Sequence, residues 1–168
     1  MLMADVAIWT ALFVGLMVVL PAVWLLFGAL WPAAVGRAQG RIPARPAATF
    51  FAGLGAALVF TVLIAIFTKV NAAPLALVVF AFALGWSFLG LAGLARHVGS
   101  RLTSTLEPPW KAQLRGGIVL ALSFLVPFLG WLLIFPISLV LGAGAATIGV
   151  FRRAPVVVPL HEPEKAEV

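Results

Sequence analysis

The chain has 168 residues, 64% of them hydrophobic and 10% charged, with a mean hydropathy of +1.18; these values lie outside the range of water-soluble domains and within that of integral membrane proteins. A net charge of +6 and a pI near 11.5 would suggest nucleic-acid binding in a soluble protein, but here the cations fall between apolar runs, where they set orientation in a bilayer, so no nucleic-acid partner is expected. Cysteine is absent, which excludes disulfides, thiolate nucleophiles and Cys-ligated metals.

In chain order, Met1-Leu2-Met3-Ala4-Asp5 lacks the cationic start of a secretory signal, and the apolar run after it is too long for one. Residues 8–31 are therefore expected to be a retained first span. Pro21 removes a backbone donor from the middle of this span and should kink it. Residues 49–67 and 73–95 are two further runs, each long enough for one crossing. Trp9, Trp31 and Trp131 fall near expected membrane interfaces, whereas Trp24 and Trp86 fall mid-span and should pack against helices.

The fourth run, residues 116–151, carries no charged side chain. As one helix its roughly 36 residues would extend about 54 Å, far beyond a hydrocarbon core about 30 Å thick. It must break, and Pro127, Gly130 and Pro136 are the breakers. The cations decide the sides. Arg37, Arg41 and Arg45 lie between spans one and two; Arg96, Arg101, Lys111 and Arg115 lie between span three and the long run; Arg152 and Arg153 follow it. With these groups cytoplasmic, the N-terminus and the Lys69 turn lie outside, and the long run must go in and come back. The expected fold is an all-α integral membrane bundle of five segments, the fourth short or re-entrant, with a Pro/Gly turn at residues 127–131. Pro108-Pro109 suits the start of that fourth helix better than the capping-box pattern Ser104-Thr105-Leu106-Glu107, which would place Pro108 inside it. Residues 1–153 form the membrane domain. The Pro-rich tail, 154–168, is expected to be disordered in the cytoplasm, or to offer Val156 to Leu160 as a strand to a partner's sheet edge.

No Asp, Glu, Lys, Arg or His falls in the interior of an expected span. Ion-coupled transporters, proton pumps and intramembrane hydrolases need such groups at membrane depth. Asp5, Glu107, Glu162, Glu164 and Glu167 all lie outside the spans, so no carboxylate pair can be placed for acid/base work. His97 and His161 lack a second ligand nearby, and neither metal nor cofactor is expected. Ser87, Ser123, Ser138, Thr61 and Thr147 are in-span hydroxyls without a base, better read as helix hydrogen bonds than as nucleophiles. Small residues recur at four-residue spacing in Gly53/Ala57, Gly142/Ala146 and Ala145/Gly149. Such pairs bring helices close, within one chain or, through Gly142, Ala146 and Gly149, between two copies.

A set of short elements occurs in a familiar order: Leu30-Trp31-Pro32-Ala33-Ala34-Val35, Ile64-Ala65-Ile66-Phe67-Thr68 followed by Pro74-Leu75-Ala76, Arg96-His97-Val98-Gly99-Ser100-Arg101, and Val126-Pro127-Phe128-Leu129-Gly130-Trp131 with Leu141-Gly142-Ala143-Gly144-Ala145. Together they resemble the C-terminal membrane domain of bacterial polymer-forming, bactofilin-like proteins, over most of residues 20–153. These 168 residues hold no β-rich polymer-forming domain, and Asn71-Ala72-Ala73-Pro74 stands where the family has Gly-Ile-Pro. The resemblance implies an N-terminus outside and carries no catalytic residues. The expected function is a non-catalytic anchor or scaffold in a bacterial inner membrane, associated with the lipid bilayer and with an envelope or polymer-forming protein partner through its helices or tail. The alternative is a channel or transporter subunit whose path, lined by hydroxyls and backbone carbonyls, runs past the broken helix.

Overall fold

A computed structural model describes residues 2–102, 107–126 and 128–151. The capping-box residues 104–106, Pro127, Arg152, Arg153, His161 and the 154–168 tail lie outside the described residues. All regular structure among the described residues is helical: α1 (Leu2–Leu30), α2 (Pro32–Ala44), α3 (Pro46–Lys69), α4 (Ala73–Ser100), α5 (Pro109–Phe124) and α6 (Phe135–Phe151), with a π-helical turn, Gly130–Ile134, leading into α6. Four stretches are long and apolar enough to cross a membrane: Asp5–Leu30, Pro46–Lys69, Ala73–Ser100 and Gly130–Phe151.

Proline sets most of the helix starts. Pro32, Pro46, Pro74 and Pro109 each occupy one of the first two positions of their helix, where the missing N–H costs nothing and φ is already helical. The start of α5 at Pro109 agrees with the later of the two expected boundaries. α1 passes through Pro21 as one continuous helix, with the proline facing Gly117 of α5.

The arginine-bearing stretch between the first two spans is itself helical. It is the 13-residue helix α2, with Val35, Ala38 and Ile42 buried along one side. Ala38 lies against Gly93 of α4 and Gly149 of α6, so α2 is a packed part of the bundle.

Close approaches fix the helix directions. Gly28 of α1 meets Gln113 of α5 and Trp24 meets Gly117, so α1 and α5 are antiparallel. Gly99 of α4 meets Ala112 and Gly116 meets Ala95, so α4 and α5 are antiparallel too. Gly53 of α3 meets Val140 and Thr49 meets Gly144, while Ile148 stands beside Arg45 and Ala48; α3 therefore runs against α6. α3 and α4 form a hairpin in which Phe60 and Phe82 touch at a ring-centroid distance of 6.0 Å. Helices α1, α4 and α6 thus run one way and α3 and α5 the other. α4 contacts every other α-helix.

Two turns use left-handed residues. Asn71 (φ 55°) closes α3, with the Ala72 N–H donating to Phe67 O at 2.9 Å and the Asn71 N–H to Thr68 O at 3.2 Å. Asparagine tolerates this left-handed conformation better than most residues. Phe128 (φ 63°) lies in the reversal after α5, and Gly130 packs on the Ser123 and Phe124 carbonyls. The reversal begins at Leu125, and Gly130 and Trp131 already belong to the returning helix. It therefore falls slightly earlier than the 127–131 expectation, because Gly130 serves the returning strand of chain as a close-contact residue.

Candidate functional site: the cationic end of the bundle

The helix directions bring the C-terminal ends of α1, α4 and α6, the N-terminal ends of α3 and α5, and the whole of α2 to one end. Arg37, Arg41, Arg45, Arg96, Arg101, Lys111 and Arg115 all lie there, while Lys69 lies at the other end. This end is built as well as charged. The Arg37 Nε–H donates to Gly149 O at 2.8 Å, joining α2 to the carbonyl end of α6, where a cation also complements the helix dipole. The Arg96 guanidinium reaches over Gly36. Arg115 pairs with Glu107 at 3.2 Å, and Lys111 stands 5.8 Å from the Trp110 ring centroid.

At the corner between α2 and α3, Thr49 is fully buried. Its hydroxyl donates to Arg45 O at 2.9 Å and lies 3.4 Å from Arg41 O. Beside it is a cavity of about 230 Å³ lined by Arg41, Ala44, Arg45, Ala48, Thr49 and Ile148.

The in-span hydroxyls are held by their own helices: Thr61 donates to Ala57 O at 2.8 Å, Ser123 to Val119 O at 2.8 Å, and Thr147 to Ala143 O at 2.7 Å. Thr147 also accepts from Trp86 Nε1 at 3.0 Å, tying α4 to α6. Ser138 is buried, and Ser87 offers its backbone carbonyl to the close approach of Gly142. Among the described residues, no three His, Asp or Glu side chains come together as a metal-ligand group. His97 lies in the last turn of α4.

The small residues pack within the chain. Gly142 meets Ser87 and Leu91 of α4, Gly149 meets Ala38 of α2, and Ala146 belongs to the main core with Trp24, Leu91 and Ala95. That face is covered inside the monomer.

Sequence reasoning missed Gln113. It is 4% exposed, and its amide donates to the Trp24 carbonyl through the space left by Gly28. The only signal was an uncharged polar residue between Lys111 and Arg115, at the spacing that turns it away from both. A second cavity, about 710 Å³, is an apolar groove on the N-terminal half of α1, with Trp9 and Trp131 both in its lining. No family model matches this chain, and no curated protein or solved structure matches it either.

Proposed function

We propose that this chain is a non-catalytic anchor or scaffold of a bacterial inner membrane, crossing it in five segments with the N-terminus outside and the C-terminus in the cytoplasm. The observation that carries this reading is the separation of roles along the bundle axis. Charge collects at one end, and the middle is closed by helix backbones in contact through glycine, with no ionisable group between them.

The tryptophans support the membrane setting. Trp9 and Trp131 share one groove at the end away from the arginines, and the half-exposed Trp31 and Trp110 mark the cationic end. From Trp9 to Trp31 along α1 is about 33 Å, close to the thickness of a hydrocarbon core flanked by two aromatic belts. α5 has 16 residues and spans about 24 Å, which with the 125–129 reversal brings the chain to the level of Trp131. This favours a fourth segment that crosses, and the positive-inside rule then puts the arginine-rich end in the cytoplasm.

A scaffold needs a rigid body and exposed partner surfaces more than a polar path. The glycine contacts provide rigidity, and the resemblance to the membrane domain of bactofilin-like proteins suggests an envelope or polymer-forming protein as the partner. Cross-linking in native membranes, followed by identification of co-purified proteins, tests the reading. A reproducible envelope or filament partner is expected. Steady solute flux through liposomes containing the purified protein would instead favour a channel or transporter.

A further inference from the structure

The cavity at the α2–α3 corner has a chemistry that orientation in the membrane does not require. Arg41 and Arg45 are four residues apart and both border it. Thr49 fixes the corner by bonding back to Arg45 O. The first turn of α3, where the helix dipole favours anions, adds Ala48 to the lining, and Ile148 of α6 completes it. Two arginines bordering one cavity beside a helix start suit a phosphate oxygen group, which arginine can grip in a bidentate manner.

The setting selects the source of the phosphate. The cavity lies where α3 enters its apolar run, and Phe51, Leu54 and Leu58 are exposed further along the same helix, as a surface for acyl chains. We propose that this corner binds the phosphodiester headgroup of an anionic phospholipid, with Arg41 and Arg45 as the headgroup ligands and Thr49 as a positioning residue. The inference rests on reading the cationic end as lying at the membrane surface.

The test uses the full chain in mild detergent, with phosphatidylglycerol or phosphatidylcholine added and bound lipid counted by native mass spectrometry. Phosphatidylglycerol is expected to be retained in preference. Arg45→Gln should weaken it about fivefold, and Arg41→Gln with Arg45→Gln about 25-fold, if each arginine contributes independently at the charged surface. Lys69→Gln, at the opposite end, should leave it unchanged. The exposed Arg45 makes the single variant informative even if the Arg41 change disturbs folding. Equal retention of both lipids, or unaltered phosphatidylglycerol retention in Arg45→Gln, would overturn the proposal. So would full competition by millimolar inorganic phosphate, which would show a soluble anion as the ligand. Thiol labelling of a Gly40→Cys chain reads the orientation separately, so a failed lipid site and a wrong membrane setting give different results.

Discussion

Substitution of Gly90 by alanine tests the packing on which the bundle depends. A Cβ at this position would overlap the Gly142 carbonyl, Cα and C atoms, and these belong to a helix backbone that cannot rotate aside. The clash must be relieved by separating α4 from α6. Overpacking costs about 1–3 kcal/mol, and a clash with backbone belongs in the upper part of that range, about 2–3 kcal/mol; alanine returns about 1 kcal/mol through its higher helix propensity. The net loss should be about 1–2 kcal/mol. Gly85 lies in the same helix with nothing within 4 Å of the equivalent Cβ, so Gly85→Ala should gain about 0.5–1 kcal/mol. The assay is reversible unfolding in mixed detergent micelles of increasing denaturing fraction, followed by tryptophan fluorescence. The two midpoints should move in opposite directions, about 1.5–3 kcal/mol apart. Equal shifts of the same sign would refute the close approach of α4 and α6.

Gln113→Ala and Gly28→Ala should each cost about 0.5–1.5 kcal/mol, because the first deletes the donor to Trp24 O and the second fills its space. Their effects should be less than additive in the same unfolding assay, since both remove one bond. Asn71→Gly should be neutral within about 0.5 kcal/mol and Asn71→Val should cost about 1–2 kcal/mol, because only valine resists φ 55°; thermal midpoints distinguish them. Arg37→Ala should cost about 1 kcal/mol and lower amide-exchange protection across residues 32–44, because the Arg37 bond to Gly149 O ties α2 to α6. Unchanged protection would show that the buried face of α2 is sufficient.

The long apolar runs were legible because length and hydropathy alone mark them, and Pro109 announced the start of α5. The reversal after α5 was also legible, since a run of that length could not be one helix. α2 was not. Its buried residues Val35, Ala38 and Ile42 have helical spacing, but Gly36, Gly40 and Pro43 lower helix propensity, and burial came from α4 and α6, which no local pattern records. Glycine spacing marked close-contact helices without saying which pairs would meet. Gly142 and Gly149 could have served a second copy as readily as α4 and α2, and only the three-dimensional arrangement distinguishes these uses. The corner cavity was hidden for the same reason, because Ile148 is about a hundred residues from Arg45 in the chain and adjacent to it in space.

Accessibility labelling tests the membrane reading most directly, and a chain without cysteine suits it. Leu129→Cys, in the reversal after α5, should react with an impermeant thiol reagent in intact spheroplasts. Gly40→Cys, on the exposed side of α2 with open space around it, should react only after permeabilisation. Cytoplasmic reactivity at residue 129, or protection there under both conditions, would contradict the five-segment account.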